Sequence, residues 1–228
     1  MTGSRPTAGL VRGLSAVSKN SGATATVGWD GKRVSRVDST GSRNYDAKAA
    51  ARQGTNAGLS ALFVGNDIAT IATRSYGGAA TYRDNSNGNV RLGAVSMGNV
   101  TPTASVPGSS TATYNGTTVG QAVISSRLYD ITGQAKMGVN FNTGTFNFAT
   151  SNLTAYQNNQ SAGSANSLAV VSNGTISGNS FSGAILNGGM SGSMSGSFYG
   201  PNAEQAGGTF DARNSSTRSQ VGAFIMGR

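Results

Sequence analysis

The sequence predicts an all-β protein, with a C-terminal eight-stranded antiparallel up-and-down barrel preceded by a smaller β-rich domain. Three observations carry this. Of the 228 residues, 36% are hydrophobic, and many alternate with Ser, Thr or Gly, the period-two pattern of half-buried strands. Gly supplies 34 residues while charged residues make up only 11%, unlike the highly charged, apolar-poor composition of disordered chains. Short apolar runs recur between tight-turn signals, as in a meander of sequential strands.

Residues 1–20 have weak periodicity and read as an extended arm or poorly ordered segment. Ala23 to Trp29 alternates and suits a strand, Asp30-Gly31 is a hairpin signal, and Lys32 to Val37 returns as its partner. Trp29, the only Trp, reads as a packing anchor. Asp46 to Arg52 is Ala-rich and suits a short helix ended by Gly54. Leu59 to Val64 and Asp67 to Arg74 read as strands joined around Gly65-Asn66. Ala79 to Arg83 and Val90 to Val95 flank the turn Asn85-Ser86-Asn87-Gly88. Residues 101–110 contain two prolines and no periodicity, which makes them the linker between a domain at 1–100 and a barrel at 111–228.

The barrel strands follow in order. Thr111 to Ile124 is the first and Ile131 to Phe141 the second, with Met137, Val139 and Phe141 in phase. Asn142-Thr143-Gly144 turns the chain into Thr145 to Leu153, where Phe146 and Phe148 share a face and Leu153 breaks the parity, signalling a bulge or the strand's end. Ser167 to Ser172 is the fourth, followed by Asn173-Gly174, a strong hairpin signal. Thr175 to Leu186 forms one kinked strand or two short ones around Gly178-Asn179. Met190 to Phe198 carries Met or Gly or Phe at even positions and Ser at every odd position from 191 to 197, so one face is buried and the other wet. Gly207 to Ala212 and Ser219 to Met226 complete eight strands, about the number at which side chains fill a closed barrel.

The most specific segment is Phe198-Tyr199-Gly200-Pro201-Asn202-Ala203-Glu204-Gln205-Ala206-Gly207-Gly208-Thr209-Phe210. Physically it reads as a strand, a sharp stop, one helical turn and a second strand. Pro201 suits the first helical position, Glu204 the first turn, where the helix dipole favours an anion, and Gly207 a left-handed cap. The run resembles the F-Y-G-P-x-A-E-x-x-G-G-x-F signature of the transferrin-binding protein B barrel family, a group that includes factor H-binding protein and hemophilin-like surface lipoproteins. The motif positions are Phe198, Tyr199, Gly200, Pro201, Ala203, Glu204, Gly207, Gly208 and Phe210. Val221 to Arg228 resembles the family's closing strand, so the likeness covers residues 111–228.

The resemblance implies a β "handle" for residues 1–100 and a surface-exposed lipoprotein or secreted protein of a Gram-negative bacterium. It implies a non-enzymatic binding role toward a host protein or small nutrient ligand, with a haemophore-like haem or small-ligand carrier and a structural or adhesive surface protein as the alternatives, and an outer-membrane translocator as a further partner. The large loops of transferrin receptors are absent, so transferrin itself is not the expected ligand. The start, Met1-Thr2-Gly3-Ser4, is neither a signal peptide nor a lipoprotein signal and reads as replacing a removed leader. A lipidated Cys is missing, which leaves membrane attachment to an anchor outside the sequence.

Composition narrows the chemistry further. With no Cys and no His, disulfides, Ser-His-Asp triads and His-based zinc or haem sites are excluded. The carboxylates are scattered without a close pair, and only Lys136 lies in the barrel half to activate a hydroxyl, so no catalytic or metal-binding residue is assigned. Haem as a cofactor would need Tyr or Met ligands, from Tyr76, Tyr82, Tyr114, Tyr129, Tyr156, Tyr199 or the methionines. The net charge of +9 is concentrated in residues 1–100, with 12 Lys/Arg against 5 Asp/Glu, but without the interleaved aromatics of a nucleic-acid platform. No apolar run is long enough for a membrane helix. The candidate ligand contacts are Arg74, Tyr76, Tyr82 and Arg83, basic and aromatic residues beside two expected turns.

Overall fold

The computed structural model describes residues 11–15, 26–29, 33–38, 41–46, 51–53, 59–64, 67–84, 91–158, 160–187, 189–214 and 218–228. The N-terminal half holds β1 (Val11–Ser15), β2 (Thr26–Trp29), β3 (Arg33–Asp38), β4 (Gly41–Asp46), β5 (Ala51–Gln53), β6 (Leu59–Val64), β7 (Asp67–Thr73), β8 (Gly77–Asp84) and β9 (Arg91–Gly98). They build two antiparallel sheets, one ordered β1-β9-β8-β7-β6-β5 and one ordered β2-β3-β4. The alternating segments pair as their patterns predict: Val64 lies opposite Asp67, and Asp84 opposite Arg91. The turns expected at Asp30-Gly31, Gly65-Asn66 and Asn85 to Gly88 lie outside the described residues, as do residues 1–10 and 16–20. Of the helix expected over Asp46 to Arg52, the described ends are strand instead: Asp46 ends β4, and Ala51 and Arg52 open β5, while residues 47–50 lie outside the described residues. At Ala51 and Arg52, pairing with β6 overrides helix propensity, which tertiary context readily outweighs.

The C-terminal half holds β10 (Thr111–Ile124), β11 (Arg127–Asn140), β12 (Thr145–Gln157), β13 (Gln160–Ser164), β14 (Val171–Ser177), β15 (Ser180–Asn187), β16 (Met190–Tyr199), β17 (Gln205–Arg213) and β18 (Arg218–Gly227). Each barrel strand pairs with its neighbour, β10 with β18, and β11 with both β10 and β12, so eight strands close on themselves. β13 is a hairpin extension of β12 that stands outside the ring. Closure satisfies every ladder and leaves no sheet edge in the ring, a solution suited to a strand set so poor in charge.

The alternation places the core. Tyr114, Met137, Phe148, Phe181, Met194, Phe198 and Phe224 are almost wholly buried in one cluster, and each such side chain contributes roughly 1.5–3 kcal/mol of burial. The parity break at Leu153 is a bulge. Gln134 opposes Ser151 while Thr132 opposes Thr154, so Gly133 faces two residues of β12. Asn152 absorbs the extra residue at φ 51°, and Leu153 returns to the buried cluster. Gly133 is the necessary partner, because a Cβ there would strike the Leu153 side chain and the Ser151 carbonyl oxygen.

Two further expectations need correction. Asn173-Gly174 is not a turn; both residues lie within β14, and the hairpin sits five residues later at Gly178-Asn179, with Ser177 opposite Ser180. Gly178 supplies the left-handed φ of 57° that the reversal requires. Gly174 instead leaves room for the Ser182 carbonyl and the Phe146 ring. The connection from Phe198 to Phe210 contains no helical turn. β16 runs to Tyr199 and β17 begins at Gln205, so the chain reverses through Gly200 (φ 91°) and Ala203 (φ 57°). Gly207 is a buried strand residue rather than a helix cap.

Candidate functional site

The six-stranded sheet lies on the outside of the barrel. Small residues on its inner face, Ala72, Ala79 and Ala94, together with Leu92, meet Val119, Val221, Ala223 and Ile225 on the outer face of β10 and β18. β18 is therefore buried on both sides. Alanines allow the two backbones to approach closely, and Tyr199 fills the space that remains.

Tyr199 is the centre of this junction. It points outward from β16 while its neighbour Phe198 points into the barrel. A Cβ on Gly98 would lie 2.7 Å from the Tyr199 ring, and one on Gly207 2.6 Å from it, so the ring is held between a glycine of β9 and a glycine of β17. Its hydroxyl shares a 2.9 Å hydrogen bond with the Ser96 hydroxyl. Burial pushes the phenol up to about 12, with the Ser96 bond opposing only part of that effect.

Alkaline stability tests the assignment. The native phenol keeps its proton between the ordinary 10.0 and about 12, whereas the unfolded one loses it. The native state therefore binds more protons in that window, and stability falls as pH rises through it by about 1.4 kcal/mol per pH unit. Denaturant midpoints measured at pH 9.5 to 11.5 should show this slope, and Tyr199→Phe should flatten it.

The chain between sheet and barrel is fastened by the same motif. Thr101 donates its amide to the Phe198 carbonyl at 2.9 Å and its hydroxyl to the Gly200 carbonyl at 2.7 Å. Asn179 donates its side-chain amide to the Thr101 carbonyl at 2.8 Å. Glu204 accepts the Asn202 amide at 2.9 Å and the Asn202 side-chain amide at 3.2 Å. Burial alone would raise the Glu204 carboxyl, but these bonds and nearby Arg228 outweigh it and lower it. Tyr114 donates to the Ala203 carbonyl at 2.7 Å and receives Arg228 Nε at 3.1 Å, which ties the turn to the barrel floor.

The four residues expected to contact a ligand are split. Arg74 and Tyr76 sit at the β7–β8 turn against the barrel. Arg74 is exposed and donates to the Asn115 carbonyl at 2.9 Å. Tyr76 is half-buried, and its backbone amide donates to Gln205 Oε1 at 3.0 Å. Tyr82 and Arg83 lie near the far end of β8, about 20 Å from Tyr76 at strand rise. They fall on opposite faces: Arg83 is in register with Leu92, on the face that meets the barrel, and Tyr82 with Gly93; their side chains lie outside the described residues. Sequence reasoning identified the Phe198–Phe210 motif but missed what it does. The signal for Tyr199 was its odd position on a strand whose other odd positions are Ser.

Beside the junction a cleft of about 410 Å³ opens between β9 and the outer face of β14 to β16. Thr209, in the same outward register, is fully buried, and its hydroxyl has no partner among the described residues. The hydroxyls of Tyr114 and Tyr199 are both hydrogen-bonded, and Met137, Met190, Met194 and Met226 are packed in the barrel. No group of three or more Asp or Glu among the described residues could hold a metal ion, and no helix among them is long and apolar enough to cross a membrane.

Residues 106–227 match the family model described as the C-lobe and N-lobe β-barrels of transferrin-binding protein B. Solved structures give the same fold at low identity. The isotype 1 transferrin-binding protein B of Neisseria meningitidis superposes with a TM-score of 0.61 at 16% identity, covering 96% of this chain and 43% of that one. The intact two-lobed Ap-TbpB gives 0.58 at 14%, covering 95% and 45%. HpuA of Kingella denitrificans, crystallised with human haemoglobin, gives 0.52 at 16%, covering 95% and 87%. The chain thus spans less than half the length of the transferrin-binding proteins it matches. No curated protein sequence matches it. The Phe198–Phe210 motif, the closed eight-stranded ring and the match over 106–227 agree: this chain belongs to the transferrin-binding protein B β-barrel family.

Proposed function

We propose that the chain is a non-enzymatic binding protein, displayed on the outer membrane or secreted, that holds a host protein. Membership of the transferrin-binding protein B barrel family carries this reading. Structures of the same fold include transferrin-binding proteins and the haemoglobin receptor HpuA. In this reading residues 1–100 are the handle, 101–110 the linker and 111–228 the barrel. The handle is a β-sheet surface carried by a rigid ring, and loops on such scaffolds are free to vary with the ligand. Residues 1–100 also hold the basic excess of 12 Lys/Arg over 5 Asp/Glu, which steers encounter with an acidic partner surface. Display at the surface would involve an outer-membrane translocator and a lipid anchor.

The test is capture of serum proteins on the immobilised chain, read by mass spectrometry at two salt concentrations. One serum protein should be enriched over a scrambled-surface control, and less so at high salt. Tyr82→Ala, on the sheet face turned away from the barrel, should weaken that capture. Recovery of no serum protein at either salt concentration overturns the host-protein reading.

A further inference from the structure

The outer face of β14 to β17 carries hydroxyls in ordered rows. Cross-strand register places Thr175, Ser182, Ser195 and Thr209 side by side across four strands. Ser177, Ser180 and Ser197 form the next row. Ser96 of β9 faces them across the 410 Å³ cleft, and among the described residues no charged side chain lines it. The hydroxyls of Thr175, Ser177, Ser182 and Ser197 make no side-chain hydrogen bond among the described residues. At the covered end of the first row stands Thr209, fully buried with its hydroxyl unpartnered among those residues.

This chemistry selects its ligand by exclusion. Each Ser or Thr hydroxyl donates once and accepts twice. A purely apolar ligand would strand those groups without partners. An anion or cation would be desolvated in the cleft with no opposite charge to meet it. An uncharged polyol both donates and accepts at many closely spaced points. Val100, 45% exposed at the rim, offers an apolar contact for a C–H face. We infer that this cleft binds an uncharged oligosaccharide. Its aromatic rings, Tyr199 and Phe181, are only 4% and 2% exposed, so no stacking platform is presented and binding is weak, of order millimolar.

Saturation-transfer NMR on the full chain tests this with two probes, an asialo biantennary glycan of the kind carried on glycoproteins and maltohexaose as a free glucan. At least one should receive saturation, and Ser182→Tyr, which fills the cleft from an exposed position, should reduce the transfer at least tenfold. Ser191→Tyr, on the same face of β16 but outside the cleft, should leave it unchanged. Transfer to the asialo glycan alone assigns a glycoprotein source, and to maltohexaose alone a polysaccharide. Absence of transfer to both probes overturns the inference, as does transfer that survives Ser182→Tyr. The result is independent of serum capture, since it reads the cleft and not the handle.

Discussion

Replacing Tyr199 by alanine should release the six-stranded sheet from the barrel while the barrel stays folded. The ring is 4% exposed, lies between Gly98 and Gly207, and its hydroxyl is bonded to the Ser96 hydroxyl of the sheet. Truncating a buried aromatic costs about 3–5 kcal/mol, and the Ser96 hydroxyl loses its partner as well. On the sheet side the interface is mostly alanine, with Leu92, and cannot collapse far enough to refill the space. Because the loss falls on the outer side of β16, it should act as local opening of the sheet. Hydrogen exchange in β8 and β9 should accelerate by about two to three orders of magnitude, given a factor of ten per 1.4 kcal/mol. Amides of β12 and β14, which contribute no residue to the sheet–barrel cluster, should keep their protection. Uniform acceleration in all four strands would mean that sheet and barrel unfold as one unit. Tyr199→Phe, which keeps the ring, should cost only about 1 kcal/mol.

The alternation of apolar and hydroxyl residues made most of this architecture readable. Met190 to Phe198 shows why: Met190, Met194, Gly196 and Phe198 are buried and the serines face outward, so pattern and packing carry the same information. Asn173-Gly174 shows the limit. Gly174 is glycine because the Ser182 carbonyl and Phe146 ring approach its backbone, a tertiary reason that a local turn rule cannot separate from a reversal. The expected helical turn at Pro201 failed similarly. A five-residue hairpin connection can be closed by a tight turn with two left-handed residues, Gly200 and Ala203. The junction was hidden because it depends on residues about a hundred apart, Ser96 with Tyr199 and Thr101 with Gly200. The cleft was hidden because its rows exist only once the register of four strands is known.

Phe198→Ala, one residue before Tyr199, should have the opposite character and unfold the barrel globally. Phe198 is fully buried in the ring and joins three aromatic neighbours: Phe181 at 5.3 Å, Phe141 at 5.4 Å and Tyr114 at 5.9 Å between centroids. Those rings belong to β10, β15 and the β11–β12 turn, so one side chain connects elements from around the circumference. Aromatic pairs add about 0.5–1.5 kcal/mol beyond their burial, and the ring is too tightly laddered to contract around a void. The expected loss is about 3–5 kcal/mol, seen as a lower denaturant midpoint with an unchanged slope. Phe198→Leu should recover much of it, because the lost volume is smaller. Exchange should then accelerate in β12 and β14 as much as in β8 and β9, since the sheet has nothing to rest on once the barrel opens. The paired outcome follows from strand geometry: successive side chains point to opposite faces, so two adjacent residues govern two different unfolding events.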